Sequence, residues 1–85
     1  MVVRVTNQIS GAVSGVAVTP SDAVNFTGGE CRGLYIGAAG NIVVLLANDT
    51  APVTFVGVSA GQILPVAALR VNATNTTASS IVALY

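Results

Sequence analysis

The residues that could do chemistry in this sequence are few and widely spaced. The chain has three carboxylates (Asp22, Glu30 and Asp49), one cysteine (Cys31) and no histidine. General acid–base catalysis at neutral pH relies mostly on histidine, or on carboxylates tuned by burial and by neighbouring charges. All three carboxylates lie in turn-like segments. We therefore predict that the protein is not an enzyme.

Cys31 lies between Glu30 and Arg32, and an adjacent arginine can lower the pKa of a thiol. A cysteine nucleophile normally also needs a base, and the chain has no histidine to act as one. We therefore interpret Cys31 as a buried or half-buried residue at the start of a strand. A single cysteine allows neither a disulfide within the chain nor a multi-cysteine metal site. The Asp-x-Asp-x-Asp spacing of a calcium loop is absent, so we expect no metal and no cofactor.

Two of the three arginines are candidates for contacts between subunits. Arg32 and Arg70 each lie beside an apolar run, whereas Arg4 lies near the start of the chain. The planar guanidinium fork suits interfacial pairing with a carboxylate or with carbonyls, and a solvated charge is the alternative. Tyrosine rings bury area while their hydroxyls stay wet. We predict four interface residues on these grounds: Arg32, Tyr35, Arg70 and Tyr85.

The composition favours burial of the surface against other protein. Hydrophobic residues make up 53% of the 85 positions and charged residues 7%, with a net charge of zero. Ordinary soluble domains carry roughly 25% charged residues. So sparse a charge suits a homo-oligomer or a larger assembly better than a free monomer. Three isolated arginines cannot form the basic stripe that nucleic acid requires, so we expect no nucleic-acid partner.

Membrane and secretory segments are not expected. The longest clear apolar run is Ile42–Ala47, far short of the roughly 20 residues that a membrane-spanning helix needs. The N-terminal residues contain one basic side chain and a broken apolar stretch, unlike a secretory signal. We therefore expect a chain that is made in the cytoplasm and has no membrane partner.

The spacing of apolar runs predicts an all-β fold. Val, Ile and Thr fill about a third of the positions, and β-branched residues favour the extended backbone. Short apolar runs recur every 8–12 residues, which is typical of a β-sandwich or barrel. We predict a small single-domain antiparallel β-sandwich or flattened barrel with seven to eight short strands. The predicted strands are Val2–Thr6 (the weakest), Gly15–Thr19, Cys31–Ile36, Asn41–Ala47, Pro52–Val58, Gln62–Ala67, Leu69–Ala73 and Ser79–Tyr85.

Three further features of the sequence predict a turn, a covered strand face and an N-terminal segment. Gly40 and Asn41 lie between two apolar runs and indicate a hairpin turn. Residues 42–46 and 81–85 are apolar on both faces of their strands, which predicts that something outside the domain covers the second face. A closed barrel with a covering loop is the alternative. Residues 1–14 are less regular and are interpreted as an N-terminal arm or an edge strand, followed by a β domain over residues 15–85.

From Ala17 onward the chain resembles a known protein family. The similar stretches are Ala17–Asp22, Arg32–Gly37, Gly40–Asn41, Pro52–Phe55, Gly57–Gly61, Leu64–Pro65, Arg70–Val71, Ala73–Ala78 and Ile81–Tyr85. The pattern resembles the head-spike base proteins of gene transfer agents and related tailed phages of alphaproteobacteria. It extends over about four fifths of the chain, and the first sixteen residues do not share it.

The resemblance implies a structural virion protein on the outer surface of a phage-like head. It implies a ring at the vertices, with a homopentamer favoured and a homotrimer as the alternative, that binds the major capsid protein and serves as the base for a head spike or fibre protein. Two other functions stay open: a capsid-stabilising cement protein at threefold positions, and a receptor-binding or glycan-binding spike module for which the polar loop Asn72–Ala78 could serve.

Overall fold

The computed structural model describes residues 11–85, and these residues form seven short strands joined by turns and loops. The strands are β1 (Gly15–Ala17), β2 (Gly33–Tyr35), β3 (Gly40–Leu46), β4 (Val53–Val58), β5 (Ile63–Leu64), β6 (Ala68–Val71) and β7 (Val82–Leu84). Residues 11–85 contain no helix, and hence none long and apolar enough to cross a membrane. The all-β prediction is confirmed.

The strands form two antiparallel sheets. One has the order β1-β7-β2-β5 and is called the four-stranded sheet; the other has the order β4-β3-β6 and is called the three-stranded sheet. Side chains from both sheets join in one core, which includes Leu34 and Ala83 from the first and Ile42, Val44 and Val71 from the second. The described strands therefore form the predicted sandwich, with two separate sheets in place of one closed barrel.

The predicted strands agree well with the observed ones. Each of the seven clearest predictions overlaps one observed strand. Six of the strands are shorter than predicted, because several flanking residues bond outside the ladders, whereas β3 has the predicted seven residues. The Cys31 amide, for example, donates to the Ala68 carbonyl at 3.0 Å, outside the regular ladder of β2. The eighth predicted strand, Val2–Thr6, and Arg4 lie outside the described residues.

The predicted hairpin at Gly40 and Asn41 is wrong. Both residues lie in β3, and the chain between β2 and β3 crosses from one sheet to the other. Gly40 is required there by a close approach, since a Cβ on it would lie 2.6 Å from the Ala78 nitrogen and 2.7 Å from Thr77 Oγ1. A glycine is needed at this position, but the reason is a close contact with a distant part of the chain and not a tight turn.

The expectation that β3 needs cover from outside the domain is also wrong. Its second apolar face carries Val43 and Leu45, and each is only 8% exposed within the single chain. Leu45 lies directly opposite Arg70 on β6, and Val43 lies opposite Thr54 on β4, so these side chains share the face. Neighbouring side chains of the same chain thus bury both faces of this central strand, and they do so in a sandwich of two separate sheets and not in the closed barrel of the alternative.

The free edge of β6 is closed by the segment that follows β1. The Ser21 amide donates to the Val71 carbonyl and the Phe26 amide to the Leu69 carbonyl, each at 2.8 Å. Residues 21–26 therefore run beside β6 without forming a regular strand. Closing an edge in this way removes unpaired backbone groups that would otherwise attract another chain.

The boundary predicted between residues 14 and 15 is not tested by these contacts. Val13 and Ser14 donate their amides to the Tyr85 carbonyl, at 2.7 and 3.3 Å, and the Tyr85 amide donates to the Ser14 carbonyl at 2.8 Å. The described residues that precede β1 thus lie beside the end of the chain that follows β7.

Candidate interaction surface

The outer face of the four-stranded sheet is apolar in a continuous row. Directly opposed residues of antiparallel strands point to the same side of a sheet. The pairs Ala17↔Val82, Tyr35↔Val82 and Tyr35↔Ile63 therefore place four side chains side by side across all four strands. The next row along the strands is Val16, Ala83, Leu34 and Leu64; its last three members are buried in the core, so the first row points outward.

A second outward row lies beside the first. Leu84 is paired with Gly15 on one side and Gly33 on the other. Together the two rows define what we call the apolar face, which consists of Gly15, Ala17, Gly33, Tyr35, Ile63, Val82 and Leu84. It contains no charged residue, whereas the solvent-facing side of an antiparallel sheet usually carries polar side chains. Ile63 is 57% exposed and Tyr35 39% exposed, so apolar area is open to solvent there.

The structure places two predicted interface residues on or beside this face. Tyr35 lies within the first row, between Val82 and Ile63. Arg32 is half-buried just before β2, and its amide donates to the Leu84 carbonyl at 2.8 Å.

Tyr85, another predicted interface residue, follows β7 and packs partly against the core. Its hydroxyl donates to the Gly29 carbonyl at 3.1 Å. Partial burial raises the pKa of the Tyr85 hydroxyl. This side chain therefore fixes the turn at residues 27–29 against the end of the chain.

Arg70 lies on the other side of the sandwich. It is half-buried on β6, and its register opposite Leu45 puts its side chain on the outer face of the three-stranded sheet. Arg70 Nε donates to Asn72 Oδ1 at 3.0 Å and Nη1 to Asn25 Oδ1 at 3.2 Å. Arg70 was predicted to pair with a carboxylate or with carbonyls, but its hydrogen bonds go to two asparagine side chains. The bond to Asn25 joins the 21–26 segment to β6.

Asp22 extends this polar cluster to the loop after β6. Its Oδ2 accepts the Thr74 hydroxyl at 2.6 Å, and its Oδ1 accepts the amides of Ala73 and Thr74, each at 3.0 Å. The bonds from Thr74 and Ala73, together with the positive charge of Arg70, lower the pKa of the Asp22 carboxyl. The four predicted interface residues therefore do not form one site, since Arg70 belongs to this separate cluster on the opposite face.

Cys31 is buried in the core, as the sequence indicated. Its Sγ lies 3.7 Å from the Val66 carbonyl oxygen, and burial raises the pKa of the thiol. A buried thiol with a raised pKa stays protonated at neutral pH and is a poor nucleophile. Residues 11–85 contain no group of three or more histidine, cysteine, aspartate or glutamate side chains that could hold a metal ion.

A shallow groove of about 540 Å³ lies between β1 and residues 18–28. Its walls include Val16, Val18, Val24, Phe26 and Tyr85. The lining is mostly aliphatic and aromatic, and none of the lining side chains is charged. The sequence analysis did not identify this groove, because it forms only where the 18–28 segment folds back toward β7.

The comparison with solved structures finds a close relative. The sequence matches no protein-family model, and no curated protein matches it. It matches a chain in the capsid of a native gene transfer agent particle, computed with C5 symmetry, with 34% identity over the whole of both chains and a TM-score of 0.80. The chain belongs to the family of this capsid-associated protein. The resemblance to gene transfer agent proteins is thereby confirmed at the level of a capsid component.

Membership of this capsid-associated family directs attention to the apolar face. Of its seven residues, the sequence analysis identified Tyr35 by name and noted that residues 81–85 are apolar on both faces of their strand. It did not identify Gly15, Ala17, Gly33 or Ile63. Ile63 was missed because β5 has only two residues and is too short to show alternation. Pairing with β2 is what aligns Ile63 with Tyr35.

Proposed function

We propose that the protein is a structural, non-catalytic virion component that decorates the outside of a phage-like head. The observation that carries this proposal is the full-length match to a chain of a gene transfer agent capsid, at 34% identity and a TM-score of 0.80. The sparse charge and the open apolar face support it, because both suit a protein that is covered by other protein in an assembly.

Within that role, we favour an oligomeric ring at the vertices that acts as the base for a head spike or fibre. The sequence resembles head-spike base proteins, and the related capsid was computed with C5 symmetry. A homopentamer fits a fivefold vertex, because cyclic symmetry joins identical subunits through one repeated contact. A homotrimer that cements the capsid at threefold positions is the alternative. The major capsid protein is the proposed partner in both cases.

The receptor-binding or glycan-binding alternative gains no support from the polar loop at residues 72–78. Asn72 accepts a hydrogen bond from Arg70, Thr74 bonds to Asp22, and the hydroxyls of Thr76 and Thr77 accept the amides of Val43 and Asn41. Side chains that satisfy one another within the fold are poorly placed to bind a sugar. Binding of the purified protein to host cells or glycans would favour this alternative.

The assembly proposal is tested by the mass of the purified oligomer and by the position of the protein on the particle. Five chains of 8.4 kDa give about 42 kDa and three give about 25 kDa, so light scattering of the purified protein separates the two oligomers. Cryo-electron microscopy of particles should then show extra density on the outer surface at the vertices, and particles that lack the protein should lose it. A purified protein that stays monomeric and never binds capsids would contradict the proposal.

A further inference from the structure

We propose that the apolar face is the surface by which each copy docks on the capsid shell. This inference rests on the proposed function, because it names the part of the molecule that meets the capsid. The occupant to which it commits is the shell, as opposed to a second copy of the same chain.

The first argument is the chemistry of the face. Its first row runs across all four strands and its second across β1, β7 and β2. Neither row has a charged or amide side chain, and the Tyr35 hydroxyl is the one polar side-chain group of the face. Exposed area concentrates at Tyr35 and Ile63, which are direct neighbours. A flat, uncharged sheet face of this kind fits an apolar protein surface that offers a hydrogen-bond acceptor to the tyrosine.

The second argument is the size of the face. Four strands spaced about 4.8 Å apart, with two to three residues along each strand at about 3.3 Å per residue, cover roughly 130–190 Å². A stable interface between two free proteins buries about 800 Å² on each partner. Two free copies that met through this face alone would therefore separate readily.

Attachment to the shell does not depend on the small area of a single face, because several faces bind at once. A ring presents one such face per subunit, and a symmetric shell repeats the complementary surface around the vertex. Once the first face is bound, the others bind at high effective concentration, so small faces combine into a firm attachment. A face-to-face pair of copies makes only one such contact, and this difference favours the shell as occupant.

The test places a charge on the face and an equal charge elsewhere. Ile63→Lys puts an ammonium group in the exposed row next to Tyr35. Val56→Lys is the matched control, because Val56 is a β-branched residue with a high exposure, 77%, on β4 of the three-stranded sheet. Both proteins are assayed for oligomer mass by light scattering and for co-sedimentation with capsids that lack the protein.

We expect Ile63→Lys to keep the oligomer mass of the wild type and to bind capsids at least about tenfold more weakly, because the loss is repeated in every subunit of the ring. Val56→Lys should bind as the wild type does. Ile63→Thr keeps a β-branched side chain and guards against misfolding of the lysine variant; it should show a smaller loss in the same direction.

Two results would overturn the inference while leaving the proposed function intact. Wild-type capsid binding by Ile63→Lys would show that the shell is contacted elsewhere. Loss of the oligomer by Ile63→Lys and Ile63→Thr, with β-structure retained by circular dichroism, would show that the face joins copies to one another. A wild-type protein that does not bind capsids would instead contradict the proposed function itself.

Discussion

At the scale of single residues, Asp22 illustrates how a surface carboxylate can organise two loops. It is exposed, yet three hydrogen bonds reach it from Ala73 and Thr74, about fifty positions further along the chain. Arg70 adds a positive charge nearby and itself bonds to Asn25 and Asn72. Two of the six charged residues, Asp22 and Arg70, therefore fasten the segment that closes the β6 edge.

Asp22 predicts a pH dependence of stability. The Thr74 hydroxyl and the amides of Thr74 and Ala73 lower the pKa of its carboxyl below the ordinary value of 3.8. A carboxyl with a lowered pKa in the folded state stabilises the fold fully above its unfolded-state pKa, and this contribution disappears as the pH falls through the folded-state pKa. We expect Asp22→Asn to lower the free energy of unfolding at about pH 6, and the difference from wild type to shrink toward about pH 3.

Urea unfolding of both proteins at the two pH values measures this effect. Asp49→Asn is the matched control, because Asp49 is an exposed carboxylate in the turn between β3 and β4 and is distant in sequence from the Asp22 cluster. A difference between wild type and Asp22→Asn that stays constant from about pH 6 to about pH 3 would contradict the assignment.

At the scale of elements, the passage from β2 to β3 decides the architecture. These strands are neighbours in sequence but belong to different sheets, so the chain between them must cross the edge of the core. Ala38 forms an isolated antiparallel bridge with Ser79, and the amides of Thr77 and Ala78 donate to the Asn41 carbonyl, at 2.8 and 3.0 Å. The crossing is thus held by the residues that lead into β7.

The crossing should make Gly40 much less tolerant of substitution by alanine than Gly11 is. At Gly40 a new Cβ would meet the Ala78 nitrogen and Thr77 Oγ1 at under 3 Å, and one of the contacting atoms belongs to the backbone and cannot rotate away. We expect Gly40→Ala to lower the free energy of unfolding by about 1–3 kcal/mol, the usual cost of overpacking. Chemical denaturation gives the value.

Gly11→Ala is the control for this measurement, since nothing lies within 4 Å of the position where its Cβ would be. Its free energy of unfolding should stay close to that of the wild type. Equal effects of the two substitutions would show that the contact of Gly40 with residues 77–78 does not constrain the crossing.

At the scale of the whole molecule, the two outer faces of the sandwich differ in chemistry. The four-stranded sheet presents the uncharged apolar face, and the three-stranded sheet carries Arg70 and its polar cluster. The apolar face is proposed to meet the shell, which leaves the side that carries the Arg70 cluster available for contacts on the outside of the head. An assembly held mainly by apolar contacts should resist high salt, whereas one held by exposed ion pairs should be weakened by it.

The dependence of capsid binding on salt tests this division. Screening by salt weakens exposed ion pairs but leaves apolar contacts intact. We expect the protein to stay on capsids when sodium chloride is raised from about 0.1 M to about 1 M, because no charged side chain lies on the apolar face. Release of the protein by salt, measured by sedimentation and gel analysis, would assign the attachment to charged groups such as Arg32 or Arg70.

The sequence by itself determined the class of the fold and most of its strands. β-Branched residues in short runs, separated by turns, predicted seven strands that the described residues form, and the absence of histidine removed most routes to acid–base chemistry. These properties are local, because they depend on the conformational preference and chemistry of each residue and its near neighbours.

The tertiary structure alone decided which residues share a surface. Whether a strand that is apolar on both sides is covered by its own chain depends on pairing between distant segments: β3 is covered by its neighbours, whereas the outer rows of the four-stranded sheet stay open. Ile63 joins Tyr35, and Asp22 joins Thr74, only through register and loop packing. A one-residue change of register would send every side chain of a strand to the other face, so only the complete set of strand pairings determines the composition of the apolar face.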